Sequence, residues 1–127
     1  MEKLHNIKGI FFDLGGTLIY PPSESWMFSE LAYRYFPKES LQKPGPQEAM
    51  SRASRELDGH HLLHTVEEEY EQFYGYYKAV AKALPELGLT GDDLRIVTED
   101  KVYNKDDNYR LFGGYISTLK ALQGRYE

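Results

Sequence analysis

The sequence predicts an α/β fold in which this chain is itself mostly α, and two observations carry that expectation. Residues 10–12, Ile-Phe-Phe, form a continuous apolar run that stops at Asp13, and a run without polar alternation suits a strand buried on both faces of a parallel sheet. Beyond it, apolar residues recur at spacings of three and four through most of the chain to residue 103, the pattern of helices that bury one stripe.

The elements follow in order. Pro21 and Pro22 break the chain after the strand, and Ser23 or Ser25 can cap a helix over residues 25–36 with Phe28, Leu31, Ala32 and Tyr35 on one face, ended by Pro37. A loop through Lys43, Pro44 and Gly45 leads to Pro46 as first residue of a second helix, whose Met50, Ala53, Leu57, His60 and His64 share a face. Thr65 with Glu68 is a capping box for a third helix, and Glu67, Glu68 and Glu69 set negative charge at its positive end. Val66, Tyr70, Phe73, Tyr77, Val80 and Leu84 then run as one stripe to Pro85 and Gly88. Thr90 with Asp93 caps a fourth helix to about Tyr103, carrying Leu94, Val97 and Val102. Four helices with short loops predict an antiparallel bundle. Residues 104–108 read as a polar linker, and a fifth helix carries Ile116, Leu119 and Leu122 to a stop at Gly124.

Composition narrows the function classes. The chain has 127 residues and a formal charge of -5 with no basic block, which argues against nucleic acid and against a polybasic membrane anchor. The absence of cysteine excludes disulfides, thiolate catalysis and cysteine-held zinc. No signal-peptide pattern opens the chain and no stretch approaches a membrane span, so a cytoplasmic location is expected. The 11 tyrosines fall at helical spacing, which suits core packing with hydroxyls at the rim.

Asp13 falls at the carboxyl end of the expected strand, where open α/β sheets bind ligands, so it is a candidate nucleophile or metal ligand. The string Phe12-Asp13-Leu14-Gly15-Gly16-Thr17-Leu18 resembles the first motif of the haloacid dehalogenase superfamily, Asp-x-Asp-x-Thr, often with glycine before the threonine. The match covers Asp13, Gly16, Thr17 and Leu18; Gly15 stands where the family's phosphatases carry a second aspartate. The resemblance implies that Asp13 attacks phosphorus to form an aspartyl-phosphate. It also implies that Gly16 and Thr17 help to hold phosphate, and that Mg²⁺ binds the Asp13 carboxylate and the Gly15 backbone carbonyl. The family's second aspartate acts as general acid, a role worth about a hundredfold to ten-thousandfold that glycine cannot fill. Dehalogenases of the superfamily lack it too, because a halide leaves without a proton.

The helices after the motif are similar in order to the C1 cap that such enzymes insert after their first core strand. The implied organisation is a Rossmann-like core of which only the first strand is present, at residues 1–20. An inserted four-helix cap follows at 21–105, then a linker and a helix returning to the core at 106–127. The second, third and fourth family motifs, a serine or threonine, a lysine and an acidic pair, are not in these residues. The chain is therefore expected to be the amino-terminal portion of a longer protein and inactive alone. Residues 10–12 also lack a sheet partner; it is expected from further chain, from a companion chain, or from strand exchange in a homo-oligomer. The implied activity is hydrolysis of a small phosphorylated metabolite. The alternatives are a binding or regulatory protein with impaired catalysis, or a dehalogenase-like hydrolase.

Other signals have simpler readings. His60 and His64 have the one-turn spacing that chelates a transition metal, but no third ligand motif accompanies them. Gly15-Gly16-Thr17 matches neither common nucleotide-binding glycine pattern. Asp92 and Asp93 complement a helix dipole.

Overall fold

A computed structural model describes residues 5–126. They are mostly helical, as the sequence predicts, with one short sheet. Strand β1, Ile19–Tyr20, pairs antiparallel with β2, Arg110–Leu111, in the register Ile19 to Leu111 and Tyr20 to Arg110. Between them come helices α1 (Ala32–Tyr35), α2 (Lys38–Leu41), α3 (Pro44–Gly59) and α4 (Val66–Lys82). A 3-10 turn (Pro85–Leu87), α5 (Gly91–Tyr103) and α6 (Lys105–Asn108) follow, and α7 (Tyr115–Leu122) comes after β2.

Helix α4 is the centre of the molecule and packs on α3 along one side and on α5 along the other. Its stripe is apolar at the right interval, so Tyr77, Val80 and the following Leu84 are fully buried together with Val97 of α5. Phe28, Ala32 and Phe36 come in from the segment before α3 and close the core over Tyr76 and Tyr77. The rings meet edge to face: Phe28 lies 5.7 Å from Phe36 and 5.8 Å from Tyr77, and Tyr76 lies 5.6 Å from Tyr77. The Tyr77 hydroxyl donates to the Met27 carbonyl at 2.5 Å, so the one polar atom of the buried ring is satisfied.

Several elements differ from the sequence expectation, each for a local reason. The expected strand at residues 10–12 is not formed: no segment among the described residues pairs with it, and Phe11 is wholly exposed. The helix expected over 25–36 shrinks to α1. The Ser25 hydroxyl accepts from the N–H groups of Met27 and Phe28, and the Ser29 hydroxyl accepts from Ala32, which offers the backbone turns in place of helix. Pro37 then holds Phe36 out of the helical region and starts α2.

Helix α3 begins at Pro44 rather than Pro46; both prolines sit in the first turn, where N–H groups have no helical partner. It ends at Gly59, so His60 and His64 lie in a loop and lose their one-turn relation. Of the two expected capping boxes, Thr90 with Asp93 is complete. At Thr65 the side chain accepts from Glu68, but the Glu68 carboxylate accepts from His64, one residue earlier than a box requires. Residues 104–108, expected as a linker, carry α6. No helix among the described residues is long and apolar enough to cross a membrane.

Candidate functional site

The motif residues build a tight loop between the unpaired segment and β1. The N–H groups of Leu18 and Ile19 both donate to the Leu14 carbonyl, at 2.9 and 3.0 Å, and Gly16 N–H donates to the Ile19 carbonyl at 2.9 Å. Closing so small a loop drives Gly16 to φ +74°, a conformation that costs a residue with a Cβ roughly 1–2 kcal/mol. This accounts for the glycine before Thr17. The β1–β2 ladder and a bond from Phe112 N–H to the Leu18 carbonyl, 3.0 Å, fasten the loop to the far side of α6.

Asp13, Gly15 and Gly16 are exposed on this loop and Thr17 is half-buried, so the four expected site residues come together within one turn. Two of them offer oxygen to a cation. The Asp13 carboxylate is open to solvent, and the Gly15 carbonyl accepts no backbone hydrogen bond among the described residues. Hard oxygen donors suit Mg²⁺ in kind, since that ion commonly takes one or two carboxylates and keeps several waters. They make only part of a set, and the described residues contain no cluster of three or more ligating side chains.

Gly15 has a neighbour that the sequence does not reveal. A Cβ at this position would meet the Trp26 indole at 3.4–3.8 Å, so the indole lies where a side chain of residue 15 would project. Trp26 is stacked on Tyr109, with ring centroids 5.6 Å apart and planes at 29°. Behind the stack, Lys101 Nζ donates to the Trp26 carbonyl at 2.5 Å and to the Tyr109 hydroxyl at 2.8 Å, and lies over the rings of Phe73 and Tyr109. No carboxylate lies within 4.0 Å of it among the described residues. One lysine of α5 thus ties the segment before α1 to the segment before β2.

The loop, the stack and α6 enclose an open cleft of about 760 Å³, walled by Leu14, Gly15, Trp26, Tyr109, Lys105 and Arg110 among others. Lys105 pairs with Glu69 of α4 at 2.9 Å across its edge. Arg110 donates to the carbonyls of Asp106, Asp107 and Tyr109, all from Nη1, which leaves the rest of its planar fork for another acceptor. A buried network steadies this wall: Asp100, nearly inaccessible, accepts from Ser29 at 2.5 Å, Asn104 at 3.0 Å and Asn108 at 3.2 Å. Sequence reasoning missed Trp26, Lys101, Lys105, Tyr109 and Arg110. The single tryptophan was the one available signal.

A second cleft, about 640 Å³, lies between the 60–64 loop and the start of α4, lined by His60, His61, His64, Glu67, Glu68 and Glu71. The His61 ring nitrogen Nδ1 is bonded to the Asp58 carbonyl, and these groups do not converge on a common point for a metal.

Comparison of the chain with protein-family models, with curated proteins and with solved structures finds no match.

Proposed function

We propose that this chain is the helical cap and first core segment of a hydrolase similar to the phosphatases of the haloacid dehalogenase superfamily, with Asp13 as nucleophile toward a small phosphorylated substrate. The observation that carries the proposal is the run Asp13-Leu14-Gly15-Gly16-Thr17-Leu18, closed into a loop by the Leu14 carbonyl and set against a cleft in the helical part. Asp13 supplies the attacking oxygen. Thr17, with Gly16 giving the loop its turn, orients the phosphoryl group. Magnesium, held in part by Asp13 and the Gly15 carbonyl, would supply charge neutralisation there. With the core completed, the helical part would close over the nucleophile, which is open to solvent in this chain alone, and limit water.

The proposal requires a sheet around residues 7–12. It is supported by the full exposure of Phe11 and the partial exposure of Ile7, Ile10 and Phe12, apolar side chains in a segment that pairs with no strand among the described residues. The strands would come from further chain, a companion chain or exchange between copies. These 127 residues alone are expected to show no magnesium-dependent hydrolysis of 4-nitrophenyl phosphate. Robust turnover by them alone, abolished in Asp13→Asn, would overturn the requirement for a completed core.

A second reading has its own observation. The indole of Trp26 sits beside Gly15 in the space that an acid catalyst would need, which favours a binding or regulatory protein descended from such enzymes, or a dehalogenase-like hydrolase. Gly15→Asp in a protein with the core completed discriminates the first of these. Activity that appears only with the aspartate identifies a native binding module. Halide release from a short 2-haloacid identifies the other.

A further inference from the structure

The cleft that the motif loop lines with Leu14 and Gly15 has two features that point to one class of ligand. Its wall carries a large aromatic platform, the Trp26–Tyr109 stack, held rigid because Lys101 bonds both the Trp26 backbone and the Tyr109 hydroxyl. Stacking a planar ring on such a platform strengthens binding by roughly two- to tenfold beyond the area it buries. At the edge of the same cleft, beside the carboxylates of Glu69 and Asp106, stand Lys105, whose ammonium pairs with Glu69 at 2.9 Å, and the Arg110 guanidinium, whose unspent N–H groups are the donors that an oxyanion recognises. Its volume, about 760 Å³, is ample for one ring and one phosphate.

The second feature is chemical. Residue 15 brings no acid, and the indole fills the space beside it. A leaving group at this site must depart without a proton from that position. A phenol ionises near pH 10, whereas an aliphatic alcohol is closer to water at about 16, so an aryl oxygen leaves as its anion far more readily.

We propose that the cleft walled by Trp26, Tyr109, Lys105 and Arg110 binds an aryl phosphate, its ring on the Trp26–Tyr109 platform and its phosphoryl group turned toward the Asp13 loop. This rests on the hydrolase reading for its chemistry, but the binding does not. In the reaction, an Asp13 oxygen forms a bond to phosphorus as the phosphorus–aryl oxygen bond breaks. The bonding pair leaves on the aryl oxygen, which takes a proton from solvent. Water then attacks phosphorus and frees the carboxylate and inorganic phosphate.

Trp26, the sole tryptophan, reports binding directly. Titration of the 127-residue chain with phenyl phosphate, with excitation at the red edge of indole absorption, should give saturable quenching. Glycerol 2-phosphate and inorganic phosphate should bind about tenfold more weakly. Tyr109→Ala should weaken phenyl phosphate about tenfold, Tyr109→Phe about twofold or less, and Lys105→Ala should weaken phenyl phosphate while leaving phenol unchanged. Circular dichroism checks that each variant keeps its helices. Equal affinity for phenyl and glycerol phosphates, or equal losses in Tyr109→Ala and a folded Tyr109→Phe, would overturn the proposal. Selective binding of phenyl phosphate without Asp13-dependent hydrolysis in the protein with its core completed would leave the ligand assignment standing and remove the hydrolase.

Discussion

Position 15 shows how one missing side chain shapes its surroundings. The Trp26 indole rests at van der Waals distance from where a Cβ would stand, so Gly15→Ala should leave the stack intact, whereas the carboxylate of Gly15→Asp must push the indole toward water. The expected outcome is an unchanged Trp26 emission maximum in the alanine variant and a red shift in the aspartate variant, measured by steady-state fluorescence. Tyr77 carries a different test. Burial holds its phenol in the protonated form and pushes its pKa far up, with Tyr76 shifted the same way. The folded state therefore keeps its proton more tightly than the unfolded chain. Stability should be full below about pH 10 and decline as pH rises beyond it. Tyr77→Phe should make that alkaline decline shallower in melts between pH 8 and 11. It should also cost about 1–3 kcal/mol at neutral pH, because the Met27 carbonyl loses its donor.

At the level of elements, the two cap signals are not equivalent. Thr90 and Asp93 satisfy one another's backbone N–H groups at 3.2 and 2.8 Å, while the Glu68 carboxylate is spent on His64. Thr90→Ala should thus destabilise by about 1 kcal/mol and Asp93→Ala by a similar amount, since each breaks the reciprocal pair. Glu68→Ala should matter less to α4, and urea denaturation measures all three.

Helices α3, α4 and α5 were legible because their apolar spacing and end signals lie within a few residues of each other: Tyr77, Val80 and Leu94 are buried where the stripe places them. The segment from Ser25 to Phe36 was not, because serine hydroxyls competing for nearby N–H groups leave no trace in an apolar pattern. The motif loop was legible as a string, and its glycine at φ +74° agrees with a close turn. The cleft was hidden, since Lys101 meets Trp26 across 75 residues of sequence and no local rule reaches that far.

For the whole molecule, the burial is uneven. The accessible surface is 9288 Å² for a chain of 14.7 kDa, where a compact monomer of that mass exposes about 6,900 Å², an excess of roughly 2,400 Å². Exposed large apolar residues concentrate at Ile10, Phe11, Phe12 and Leu14, and again at Leu111, Ile116 and Leu119 on the last elements. The helical body, by contrast, has every buried side-chain polar atom satisfied among the described residues. The chain should melt cooperatively through its α3–α4–α5 core yet self-associate through its two ends. Light scattering at increasing concentration should show mass above that of a monomer, and Phe11→Ser with Ile116→Ser should reduce it. A monodisperse monomer at all concentrations would mean that residues 7–12 need no partner.

The central claim is that Asp13 is a nucleophile displayed on a loop that a core sheet completes. Its most direct test is steady-state hydrolysis of phenyl phosphate by the protein with that sheet supplied, comparing the native sequence with Asp13→Asn, each with magnesium and after chelation. The expected result is turnover in the native protein alone, lost on chelation and at background in Asp13→Asn with its helix content unchanged. Turnover that survives Asp13→Asn, or none in the native protein, would contradict the claim.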